Sequence, residues 1–279
     1  MRKLKNLVFV CLALMAACTI QCNDAKAAKT GTYQLSDTST NTNYDVTGDG
    51  VSDTVEFKKL NYNQNIDAYD GFKVVINNKT ALHVKDVYFY DLETVFVQTK
   101  EHGYFLISVC HDNGDGPRKI YEYVDGKLKE RVDFADTAGK AYYHYSAMVS
   151  SVKSNSFKVN LVGQTEMLAY TKMSFNFKVG QTGKLSLANK TVKVSYSNGR
   201  MNSEKSYKSK YLVAKKNIQV YRSATGTKKA FSIKKGTKLK ITKVSVKGKT
   251  PRYYCITKSG KKGWVKSKIE LFKDLMYAG

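Results

Sequence analysis

Asp45, Thr47, Asp49, Val51 and Asp53 fall at alternate positions of a segment, residues 44–56, that reads Tyr-Asp-Val-Thr-Gly-Asp-Gly-Val-Ser-Asp-Thr-Val-Glu. Alternate residues of a tight loop point to one side, so three carboxylates and the Thr47 hydroxyl converge there. Gly50 permits the sharp turn after which the Val51 carbonyl faces the same point. Ca2+ takes about six to eight hard oxygens at about 2.3–2.6 Å, and the spacing predicts a structural calcium site built from these five residues. With Asp45 counted first, Glu56 stands twelfth and is an optional ligand. Three acidic groups this close repel one another without a cation. The competing reading is an Asp/Gly turn that holds no ion. Asp112-Asn113-Gly114-Asp115-Gly116 is a shorter acidic-glycine stretch and reads as a turn rather than a second site.

Nucleophilic chemistry has less to work with. Cys110 and His111 are adjacent, and His144 lies downstream. A Cys–His pair needs the imidazole turned toward the sulfur and a setting that lowers the thiol pKa, usually a helix start. Cys110 instead ends an apolar run that reads as a strand. His-Glu-x-x-His is absent, and His83, His102, His111 and His144 share no metal-ligand spacing. Catalysis is not the expected function. A hydrolase with a cryptic site in residues 44–199 stays open, and Cys110 facing His144 in a cleft would support it.

The third group of chemically useful residues lies near the C-terminus. Residues 200–279 hold 23 Lys/Arg against 3 Asp/Glu, which is +20 of the chain's net +24. Interleaved with this charge are Tyr221, Arg222, Tyr253, Tyr254 and Trp264. Such a surface attracts polyanions, with screening by salt, and exposed aromatics beside it stack on sugars or peptides. Trp264 also has a second reading as a core or groove-floor residue, and most of the lysines as a solvated face.

The N-terminus restricts the partner. Arg2, Lys3 and Lys5 precede an apolar run over 7–20, shorter than the ~20 residues a membrane span needs, and Ala25-Lys26-Ala27 forms a small-x-small cleavage pattern. Residues 1–27 thus read as an export signal, with no transmembrane segment after cleavage. A retained anchor is one alternative; lipidation at Cys18, after Met15-Ala16-Ala17, is another. Export removes nucleic acid as the physiological partner, although a basic patch is often read that way. Only Cys110 and Cys255 remain after the signal, so a disulfide framework is not expected, and each reads as a small buried hydrophobe.

The elements that must hold these groups are strands. Two prolines, 20 tyrosines and few helical periodicities predict a mainly β chain. Residues 28–43 read as a leader, 44–199 as a β-rich domain, 200–210 as a polar linker, 211–272 as a small β module and 273–279 as a tail. In the first domain the runs 88–90, 95–97 and 104–109 suit strands covered on both faces, and Asp125-Gly126 predicts a two-residue hairpin turn. In the second, five strands are expected at 218–221, 230–233, 239–246, 253–257 and 263–265, with Gly226, Gly236, Gly248 and Gly260 marking the turns.

Two resemblances refine the reading. The acidic loop leads into the alternating run Thr54-Val55-Glu56-Phe57-Lys58, not into a helix. It is therefore similar to the calcium loops of bacterial FG-GAP and VCBS-type β repeats, over about a dozen residues. Asn217-Ile218-Gln219-Val220-Tyr221-Arg222-Ser223, the Lys-Lys-Gly-Thr after Ile233, and the closing Gly263-Trp264-Val265 resemble bacterial SH3 (SH3b) domains in order and spacing, departing where Tyr221 stands between Val220 and Arg222. The resemblance implies a small SH3-like β-barrel that targets peptidoglycan or its peptides. The expected molecule is a secreted, wall-associated binding protein. Its N-terminal multi-strand β domain is partial-propeller-like or a sandwich, stabilised by Ca2+, and its C-terminal module retains it on peptidoglycan or anionic wall polymer. A glycan-binding adhesin or sensor is a further alternative, for which Tyr142, Tyr143 and Tyr145 are the candidate residues.

Overall fold

The computed structural model describes residues 29–112, 116–138, 142–165, 167–197, 210–246, 251–273 and 275, with backbone alone for 142–145. The export signal, Cys18 and most of the linker fall outside these residues. The chain is mainly β and antiparallel. It runs through β1 (Gly31–Leu35), β2 (Asn41–Tyr44), β3 (Asp53–Lys59), β4 (Tyr69–Ile76), β5 (Lys79–Phe89), β6 (Asp91–Gln98), β7 (Gly103–Cys110), β8 (Arg118–Val124) and β9 (Lys127–Asp133). After the short helix α1 (Phe134–Ala138) come β10 (Tyr142–Lys153), β11 (Ser156–Thr165), β12 (Ala169–Val179), β13 (Leu185–Leu187) and β14 (Thr191–Tyr196). Among the described residues no helix is long and apolar enough to cross a membrane.

Successive meanders make successive sheets. β2-β3-β4-β5 is the first, β6-β7-β8-β9 with β1 added at its edge the second, and β10-β11-β12-β14 opens the third. Two-residue turns drive the meanders. Asp125 and Gly126 both take positive φ (53° and 76°), as do Asn77 and Asn78 (48° and 62°), the conformation whose twist matches the flanking strands. The middle sheet is covered on both faces, which explains why residues 104–109 of β7 are all buried. Phe105, Ile107 and Val109 join the first sheet's Phe57, Phe72 and Phe89, whereas Tyr104 and Leu106 join Phe157 and Phe177 of the third.

A polar clamp holds the second and third sheets together. Glu122 on β8 accepts from Arg131 Nε and Nη2, both at 2.7 Å, and pairs with His102 Nδ1 at 3.1 Å. The other His102 ring nitrogen lies 3.2 Å from the Gln181 carbonyl, and Tyr104 Oη donates to the Gly183 carbonyl at 2.7 Å. Gly183 (φ +74°) sits so close that a Cβ there would come within 1.8 Å of Glu122 Oε1. The 180–183 turn is thereby pinned onto the middle sheet.

The C-terminal strands are β15 (Leu212–Val213), β16 (Ile218–Tyr221), β17 (Lys229–Ile233), β18 (Lys238–Ser245), β19 (Arg252–Thr257) and β20 (Lys262–Lys266). They pair in the order β17-β16-β20-β19-β18, with β15 also on β18. Two features differ from the sequence reading. The segment read as a leader supplies β1 and β2, because Tyr33 and Leu35 alternate inward along an otherwise polar edge strand. The two regions flanking the linker are also joined. β14 pairs with β18 through Thr191↔Ser245, Val192↔Val244 and Lys193↔Lys243, and one apolar cluster runs from Phe175 and Tyr196 to Val220, Ile241 and Val265.

Candidate functional site

The acidic loop lies between β2 and β3. Asp45 Oδ1 accepts from the Gly48 N–H at 2.7 Å and its Oδ2 from Gly50 N–H at 2.8 Å. Asp49 Oδ1 accepts from Val51 N–H at 2.8 Å. Gly48 and Gly50 take φ of 81° and 85°, which explains their place in the motif. Asp53, at 2% exposure, accepts through Oδ2 from Val46 N–H (2.7 Å) and Thr47 N–H (2.8 Å), and through Oδ1 from Thr47 Oγ1 and Asn77 Nδ2. Each of its oxygens takes two protein donors, so in this conformation it clamps the loop from within. Among the described residues no three acidic, His or Cys side chains gather on one point. Asp45 Oδ1 takes a second donor, the Asp49 N–H at 3.2 Å, so the acceptor positions left for an ion are on Asp45 Oδ2, Thr47 Oγ1, Asp49 and the Val51 carbonyl. Glu56, on β3, pairs with Lys58 at 3.1 Å and accepts from Thr40 Oγ1. Asn77, which the sequence reading missed, closes the loop. It sits at the β4–β5 turn, 24 residues downstream of Asp53, so no local spacing signals it.

On the C-terminal strands the register makes a row of aromatics. Tyr221 on β16 is the cross-strand partner of Trp264 on β20, which is in turn the partner of Tyr254 on β19. Cross-strand partners share a face, so all three half-buried rings lie side by side on the outside of the sheet. Tyr254 and Trp264 meet edge to face, centroids 5.1 Å apart. The Arg252 guanidinium and the Lys266 ammonium lie 4.7 and 5.3 Å from the centre of the Tyr221 ring. Arg252, nearly buried, also donates through Nη1 to the Ser223 and Gly226 carbonyls at 3.1 and 2.6 Å, tying down the β16–β17 loop. Its position two residues before Tyr254 on an alternating strand is the signal that could have found it.

The sequence-predicted residues divide accordingly. Tyr221, Tyr254 and Trp264 come together. Arg222 is exposed on the adjacent loop, its N–H donating to the Lys228 carbonyl. Tyr253 does not join them. Strand alternation sends it to the opposite face, 2% exposed, among the core residues. Tyr221 stands at a β-bulge, where the β16–β17 register slips between Val220 and Tyr221, so the extra residue is absorbed locally. Gly263 is required beside Trp264, since a Cβ there would lie 2.3 Å from Val220 Cγ1.

Cys255 is fully buried, and burial pushes its thiol up to about 11. Cys110 is half-buried, and burial raises its thiol too, the reverse of what a thiolate nucleophile needs. The His144 side chain and those of Tyr142, Tyr143 and Tyr145 fall outside the described residues. Comparison with family models, with curated proteins and with solved structures gives no match for this chain.

Proposed function

We propose that this is an exported binding protein of the bacterial cell wall, retained there by its C-terminal strands acting as an SH3b-like module. The observation that carries the reading is the row Tyr221–Trp264–Tyr254, flanked by Arg252 and Lys266, on a segment of net charge +20. Aromatic faces stack on sugars and peptides, and cations beside them attract phosphate-bearing polymer. The order of five short strands and the Gly-Trp-Val closure support the SH3b-like assignment, and the reading of residues 1–27 as an export signal supports the compartment. In this account the first two sheets form a scaffold of unidentified ligand. Its acidic loop takes a structural Ca2+ through Asp45, Thr47, Asp49 and the Val51 carbonyl, with Asp53 holding the loop in shape. The bound ion would neutralise carboxylates that repel one another.

The test is retention of the chain from Ala28 onward on isolated sacculi, with and without their anionic polymers, across a salt series. The full chain is needed because β14 pairs with β18 and the C-terminal strands share that edge. Salt-resistant retention on bare sacculi supports specific wall recognition. Retention only with the anionic polymer, lost at moderate salt, supports a charge-driven contact. No retention on either contradicts the proposal.

A further inference from the structure

The cationic half of the molecule begins well before the C-terminal module. Residues 29–138 hold 12 Lys/Arg against 18 Asp/Glu, a net of −6, whereas residues 140–279 hold 31 against 4, a net of +27. The sign therefore changes where the third sheet starts, not at the polar segment 200–210. That sheet is the one continuous with the C-terminal strands through β14 and β18.

Its outer face carries a groove. A cavity of about 440 Å³ is lined by Lys153, Lys158 and Lys178 with Asn155 and Asn176. A second, of about 120 Å³, shares Lys158 and Asn176 with it and adds Lys193, Ser174 and Asn189. No Asp or Glu lines either one. The register then carries the face onward. Ser174 pairs with Lys193, Lys193 with Lys243, Lys243 with Tyr254 and Tyr254 with Trp264. Lys193 and Lys243 are exposed and directly opposite each other at the seam between the two regions. Among the described residues no carboxylate lies within ion-pair distance of either one or of Lys153, Lys158 or Lys178. Like charges facing each other across a strand pair destabilise it, and an anion lying over both relieves that repulsion. From β10, which carries Lys153, to β20 the face crosses six strand spacings, about 29 Å. That is too long for a single small anion and suited to a chain of them.

We propose that this groove, which starts at Lys153, and the face that continues it past the Lys193–Lys243 seam to Trp264 bind a linear phosphodiester polymer as one continuous site. The third sheet is then part of the binding surface and not a scaffold alone. Which natural polymer lies there rests on the wall-binding reading; the groove itself does not.

The test measures binding of the full exported chain to short and long glycerol-phosphate oligomers over a salt series. It compares wild type, the groove triple Lys158→Gln/Lys193→Gln/Lys243→Gln, and a charge-matched triple at exposed turns, Lys234→Gln/Lys235→Gln/Lys258→Gln, after confirming that neither triple melts below the wild type. The groove triple is expected to weaken binding of long oligomers at least tenfold at low salt, to lower the salt slope by about one per lysine, and to remove the advantage of long over short oligomers. The turn triple keeps that advantage. Equal losses in both triples, or no loss in the groove triple, would overturn the proposal by reducing it to diffuse attraction. A groove-dependent affinity without retention on sacculi upholds the groove and rejects the wall as its destination.

Discussion

Single residues bear opposite loads in the two sites. Asp53 accepts four hydrogen bonds, three from the loop, two of those from the backbone N–H groups of Val46 and Thr47, and one from Asn77. Asp53→Ala is expected to cost about 3 kcal/mol in urea unfolding, with or without calcium, because buried donors lose their acceptor. Asp49, by contrast, accepts one backbone bond on an exposed turn, so Asp49→Ala is expected to be nearly neutral in chelator. In saturating Ca2+, about 100-fold above Kd, the wild type is expected to gain about 2.7 kcal/mol, and Asp49→Ala to lose most of that gain. An equal calcium response in the wild type and in Asp49→Ala would remove Asp49 from the ligand set. The spacing made the loop legible in the sequence. It did not make Asp53's inward role legible, since an Asp that binds an ion and one that binds backbone N–H groups occupy the same position of the motif.

Elements are where sequence reading gained most and lost most. The strands 104–109 and 218–221, and the hairpin at Asp125-Gly126, are legible because burial and turn chemistry are local. β1 and β2 were not, because these edge strands bury few side chains, alternate ones in β1 and only the two ends partly in β2, and leave a polar sequence. Nor was the clamp legible, as it joins Glu122, Arg131, His102 and the 180–183 turn across two sheets. Glu122→Ala leaves a partly buried Arg131 without its carboxylate and is expected to cost about 3 kcal/mol in chemical unfolding. Gly183→Ala is expected to destabilise strongly for a steric reason, the added Cβ meeting Glu122. Combining the two substitutions should therefore cost less than the sum, because shortening residue 122 makes the room residue 183 needs. Additive losses would contradict that packing.

For the whole molecule, the arrangement of charge and sheet matters more than a domain boundary. One sheet and one apolar cluster extend across the segment read as a linker, so heat or urea is expected to unfold the third sheet and the C-terminal strands in a single transition. Two separated transitions for these parts would show that the β14–β18 seam is weak. That pairing was not legible because it joins residues about 50 apart through three pairs of partners. The aromatic row was half legible: composition and resemblance gave Tyr221, Tyr254 and Trp264, while strand alternation removed Tyr253. Trp264 is the chain's single tryptophan, so its emission reports on the row alone. The most direct measurement is a titration of the full exported chain with solubilised wall fragments, exciting where tyrosine does not absorb and following emission and acrylamide quenching. A saturable emission change with protection from quencher is expected. Binding seen by sedimentation while Trp264 emission and quenching stay unchanged would contradict the claim that this row meets the wall.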